Sequence, residues 1–101
     1  MFKKKKDIHE ECYDLSYTFM RWINKYLKVY REDASKCIDM EFHKVEYKGE
    51  TYTFKELLDK LIDLTDEFIK VQDNDCWDKS LDLLKNDIFD IFKEIYWLLW
   101  W

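Results

Sequence analysis

Residues 53–71 read TFKELLDKLIDLTDEFIKV. Leu57, Leu61, Leu64, Phe68 and Val71 recur at steps of four, three, four and three, which keeps them on one face of an α-helix. Thr53 and Glu56 supply a T-x-x-E capping box, so this helix is predicted to start at about Phe54. The polar cluster Gln72, Asp73, Asn74 and Asp75 should end it.

Two further stripes flank this one. On the C-terminal side, Trp77, Leu81, Leu84, Ile88, Ile91, Ile95 and Leu98 predict a helix opened by Asp75 and Asp78 and running to the chain end. On the N-terminal side, Ile8, Cys12, Leu15, Phe19, Trp22, Tyr26 and Val29 predict a helix from about Asp7 to Arg31. Glu10, Glu11 and Asp14 near its start, with Arg21, Lys25, Lys28 and Arg31 near its end, complement the helix dipole. Residues 32–40 read as a connection, with Asp33 and Ser35 as turn formers.

From Glu41 to Tyr47 the period changes to two, with His43, Val45 and Tyr47 facing one way and Phe42 the other. Gly49, the chain's single glycine, follows Lys48 where a positive φ is most needed, and residues 51–54 can return as a second strand. A lone hairpin is marginal in water, so it should lean on the helices. The predicted fold is mainly α (α+β): a three-helix bundle with a small β-hairpin between helices 1 and 2. Residues 1–6 form a basic tail, and residues 7–101 form a single helical domain.

Composition narrows the function classes. The chain has 101 residues, 48% of them hydrophobic and 19% aromatic, enough for a core without disulfides or metal. Its 22 acidic and 17 basic residues give a net charge of -5. Setting aside Lys3 to Lys6 leaves 13 basic residues against 22 acidic ones, a body that repels nucleic acid directly. Three cysteines without C-x-x-C spacing indicate neither a disulfide framework nor a zinc ribbon. Acidic residues interrupt any secretory apolar region after the basic start, and the longest uncharged apolar run, residues 95–101, is far short of a membrane span. A protein of the cytoplasm is expected, with no cofactor. Fifteen lysines against two arginines, with one alanine, one glycine and no proline, suit an AT-rich bacterial or phage genome, so the bacterial host cytosol is the expected setting.

Catalytic chemistry has little to build on. His9 and Cys12 share a helical face, but Cys37, Cys76 and His43 would have to complete a zinc set from scattered positions. The Asp73, Asn74 and Asp75 run lacks the glycine and the glutamate of a calcium loop, holding Asp78 and Leu84 there instead, so helix capping is expected. One glycine cannot build a phosphate loop, and no enzyme motif is present. A non-enzymatic protein follows.

Three binding surfaces suggest themselves. Arg21, Lys25 and Lys28, with Tyr13 and Tyr17 nearby, offer an anion site suited to a small nucleotide. Asp59, Asp63, Asp66 and Glu67 give the second helix an acidic side that can face a nucleic-acid-binding protein, although Glu56–Lys60 and Asp66–Lys70 spacings would neutralise much of it. The C-terminal stretch is the most unusual. From Cys76 to Trp101 there are fifteen large apolar residues besides the cysteine in 26 positions. A core-facing helix uses about three positions in seven. The surplus is covered by helix 1 and the hairpin, left as a contact surface made by Tyr96, Trp97, Trp100 and Trp101, or lodged at a membrane interface. The sequence therefore favours a cytosolic protein acting by protein–protein binding, in homo-oligomers or with another protein. A phage or mobile-element inhibitor of host defence, anti-CRISPR-like, is one such protein. An oligomeric sponge for an anionic nucleotide is the alternative.

Overall fold

Thr53 starts the central helix as the capping box requires. Its hydroxyl accepts from the Glu56 N–H at 3.1 Å, and its own N–H donates to Glu56 Oε1 at 2.8 Å. The computed structural model describes residues 15–74 and 79–99. In chain order these form α1 (Leu15–Cys37), β1 (Lys44–Tyr47), β2 (Glu50–Thr53), α2 (Phe54–Asp73) and α3 (Lys79–Ile95), followed by a 3-10 turn over Tyr96–Leu98. The fold is mainly α with one antiparallel hairpin between α1 and α2, as the sequence predicts.

The hairpin begins later than the alternation suggests. The Asp39 carboxylate accepts from the Glu41 N–H and the Asp39 carbonyl from the Phe42 N–H, so residues 39–42 turn instead of extending. Val45 pairs with Tyr52 and Tyr47 with Glu50. Lys48 (φ 51°) and Gly49 (φ 79°) form the two-residue link, both in the left-handed region that this tightest connection demands. The hairpin is docked as well as folded. The His43 and Met40 carbonyls accept from the Phe54 and Lys55 N–H groups at 2.9 and 3.0 Å. With Thr53 serving Glu56, the first three amides of α2 are all satisfied, where an uncapped helix would leave them bare. At the other end Lys48 Nζ reaches Asp87 of α3 at 3.0 Å.

Helix α2 is the centre of the molecule because it packs against both α1 and α3. Leu57, Leu58 and Leu61 are fully buried, with Phe54, Thr65 and Phe68 beside them. Leu64 and Val71 complete the predicted stripe at half-buried positions. On α3, Leu81, Ile88, Ile91 and Ile95 are buried as the spacing predicts, with Leu84 partly so, as is Leu98 in the turn that follows. The α-helix ends at Ile95 instead of continuing, and the 3-10 turn closes with Leu99 N–H donating to the Tyr96 carbonyl at 3.2 Å.

Helix α1 departs most from expectation. It runs on through Cys37, so most of the predicted connection 32–40 is helix. Ala34, the chain's single alanine, is fully buried there, and its carbonyl holds the Ile38 N–H at 2.9 Å. Ser35 Oγ turns back to the Glu32 carbonyl and Lys36 pairs with Glu32, so the expected turn former serves the helix. The buried face is Met20, Ile23, Leu27 and Ala34, not the predicted stripe. Ile8, Cys12 and Trp77 of the sequence stripes, and Asp75 and Asp78, lie outside the described residues.

Gln72 is buried near the end of α2, yet its amide oxygen and nitrogen find no hydrogen-bond partner among the described residues. A buried amide without partners costs about 1–3 kcal/mol. Gln72→Met keeps the shape and removes that cost. It is expected to raise the thermal midpoint by about 4–8 °C per kcal/mol gained. A midpoint at or below the parent's would show the amide to be satisfied.

Candidate functional site

Three stripes run along α1, one of them apolar and outward. The first is the buried set Met20, Ile23 and Leu27. The second is polar and faces α2. Arg21 Nη2 donates to Asp73 at 2.7 Å, Lys28 Nζ to Asp66 at 2.8 Å and Arg31 Nε to Asp59 at 2.6 Å. Between them the buried Asn24 amide donates to Thr65 Oγ1 at 2.8 Å and to Asp66 Oδ1 at 3.1 Å. The third is Leu15, Phe19, Trp22, Tyr26 and Val29, the residues predicted to be core. All but the half-buried Phe19 are more than half exposed, Trp22 by 52% and Leu15 by 61%.

This outward stripe joins apolar surface on α3. Phe19 stacks on Phe89 with ring centroids 5.9 Å apart and lies 6.4 Å from Trp22, which in turn meets Tyr26 at 5.0 Å. On α3, Phe92 meets Tyr96 at 6.1 Å, and Trp97 stands edge-on to Tyr96 at 5.2 Å while remaining 79% exposed. Tyr30 Oη donates to the Leu98 carbonyl at 3.1 Å, which ties the C-terminal turn to α1. Between the helices lies an open apolar cleft of about 490 Å³, walled by Leu15, Phe19 and Phe89 and floored by Met20 and Phe68. Ser16 and Lys85 also line this cleft, and its mainly apolar walls suit the side chains of an apolar partner.

The predicted C-terminal surface is thus part of a larger face. Tyr96 and Trp97 are exposed, and Trp100 and Trp101 lie outside the described residues. The acidic set is divided. Asp59 and Asp66 turn to Arg31 and Lys28 of α1, not to i,i+4 lysines, while Asp63 and Glu67 stand exposed on the far side, in a column with Lys60 and Lys70. Of the predicted anion-binding trio, Arg21 and Lys28 are paired with carboxylates, and Lys25 lies over the Tyr26 ring at 5.7 Å. No group of three or more metal-ligating side chains occurs among the described residues. None of their helices is long and apolar enough to cross a membrane.

The Tyr17, Arg21 and Asp73 cluster sets a pH window. Tyr17 Oη donates to Asp73 Oδ1 at 2.7 Å, and this bond, with the Arg21 guanidinium, holds the Asp73 carboxyl below the ordinary carboxylate value of 3.8. The same hydrogen bond pushes the Tyr17 phenol above 10.0. A lowered acid stabilises the fold above its unfolded value and loses that contribution as pH falls through the folded one, while the raised phenol loses its contribution on the alkaline side. Asp73→Asn is therefore expected to lower the urea midpoint at about pH 7, with a smaller gap to the parent in acid, below the ordinary carboxylate value of 3.8. A gap of the same size at neutral and acid pH would rule this linkage out.

Comparison with family models, curated proteins and solved structures finds no match. The face itself must carry the functional reading.

Proposed function

We propose that the protein is non-enzymatic and works by protein–protein contact through the aromatic face shared by α1 and α3. The observation that carries this is the two-sided α1: one apolar stripe fills the core and a second, of larger residues, points outward. Five half-exposed or more exposed rings, Trp22, Tyr26, Phe89, Tyr96 and Trp97, together with Leu15 and Val29, leave on the order of 600–800 Å² of apolar surface in water. Monomeric proteins rarely expose a contiguous apolar patch beyond a few hundred Å², and larger ones mark contact sites. Trp and Tyr are the side chains that most often dominate such contacts.

A finer form of this proposal is an inhibitor of host defence encoded by a phage or mobile element, anti-CRISPR-like and acting in the bacterial cytosol. Its support is the small acidic chain, the lysine-rich composition and the exposed Asp63 and Glu67, which suit a basic, nucleic-acid-binding target. Affinity capture with cross-linking from a bacterial lysate tests the contact reading. Proteins retained by the parent chain should be lost when Trp22 and Trp97 are changed to serine, with circular dichroism unchanged. The same proteins retained by both baits would refute the face as the contact surface.

A further inference from the structure

The outward stripe of α1 steps by four, three, four and three over Leu15, Phe19, Trp22, Tyr26 and Val29. This is the a and d spacing of a helix that lies along another helix, and Leu57, Leu61, Leu64, Phe68 and Val71 use the same steps where α2 packs within the fold. The core arc of α1 is already supplied by Met20, Ile23, Leu27 and Ala34. We infer that the occupant of the face is a second copy of this chain, with α1 of one protomer lying along α1 of its partner and the Phe89 and Tyr96 side of α3 flanking the seam. This assignment rests on the proposed reading of the face as a contact surface.

Area and charge both favour self-pairing. The exposed apolar surface, roughly 600–800 Å², approaches the ~800 Å² that each partner gives to a standard interface. A two-fold pairing presents the same patch on both sides, so the area serves both protomers without a second matched surface. The net charge of -5 does not oppose it, because the acid excess lies elsewhere. Among the described residues, the charged positions three or four from a seam residue or from Phe89 are Lys25, Lys85 and Lys93 against Glu32 and Asp33, so no acid excess gathers at the face. Asp33, one turn beyond Val29, sets the end of the seam.

Sedimentation equilibrium over roughly 0.1–100 μM chain tests the inference, since interfaces of this size span micromolar and tighter affinities. The parent chain should be a dimer in that range. Trp22→Asp, and separately Val29→Glu, should weaken association at least tenfold, both positions being exposed so that the monomer still folds. Phe42→Ser, removing an exposed ring on the hairpin side, should leave the dimer unchanged. A monomer throughout, or a dimer indifferent to both seam variants, would overturn the second-copy assignment. Lysate capture separates the two claims. A monomeric parent that loses its captured proteins on Trp22→Asp keeps the contact reading without the dimer, whereas a monomeric parent whose capture is indifferent to the variant loses both.

Discussion

Asn24→Asp is expected to destabilise the protein by about 3–5 kcal/mol at neutral pH, the loss typical of an uncompensated buried charge. The substitution exchanges an NH2 group for an oxygen of nearly the same size, so no cavity or overlap enters. What changes is the sign of the hydrogen bonding. Asn24 Nδ2 donates to Thr65 Oγ1, to Asp66 Oδ1 and, at a long 3.4 Å, to the Ile62 carbonyl. All three partners are acceptors in these contacts, because the Thr65 hydroxyl is itself directed at the Leu61 and Ile62 carbonyls at 3.0 and 2.9 Å. A carboxylate oxygen in place of Nδ2 would meet three acceptors, one of them a second carboxylate at hydrogen-bond distance. Lys28 is already held by that second carboxylate. Burial and the like charge both push the introduced carboxyl above its unfolded value, so its penalty is fully felt above the raised value and fades as pH falls through it. Urea unfolding at about pH 7 and pH 5 measures this. A loss below about 1 kcal/mol with no pH dependence would show that the position is open to water.

Leu61→Ala should cost about 3 kcal/mol, within the usual 2–5 kcal/mol for truncating a buried leucine. Leu61 is fully buried at the middle of α2, the helix on which both α1 and α3 rest. Its removal leaves a void between two interfaces instead of one, and neither flanking helix can close it without leaving the other contacts of α2. Set against a total stability of about 5–15 kcal/mol, this is a large share. The thermal midpoint should fall by about 12–24 °C at 4–8 °C per kcal/mol. A fall under ~4 °C would mean that the helices collapse onto the void, and would question the packing described for α2.

The elements that could be read from the chain are those specified by neighbours in sequence. The capping box of Thr53 and Glu56 needs only residues three apart, and the hairpin link needs only Gly49 and its neighbour. The stripes of α2 and α3 were legible because each helix has one dominant apolar arc. Helix α1 has two, and spacing alone cannot say which arc the rest of the molecule will cover. The stripe with the larger residues reads as core, yet the core takes Met20, Ile23, Leu27 and Ala34, whose smaller or more pliable side chains let α1 lie close on α2. The outer stripe's alternation of four and three gave no separate sign, because the core stripes of α2 and α3 step in the same way. The continuation past Arg31 was hidden because Asp33 and Ser35 favour turns locally, while burial of Ala34 decides otherwise. The cross-helix partners of Asp59 and Asp66 were equally out of reach, since local spacing offers lysines one turn away and the fold supplies Arg31 and Lys28 instead.

The polar ladder between α1 and α2 gains its meaning from that ambiguity. Rolling α1 by roughly a third of a turn would bring its other greasy side inward, a second way for this helix to bury apolar surface. Exposed ion pairs stabilise by only ~0.2–1 kcal/mol each, too little to hold a domain together. Their geometry, however, exists in one orientation alone. Arg21, Asn24, Lys28 and Arg31 thus work as a keyway, admitting the helix in a single rotational setting and leaving its larger rings outside.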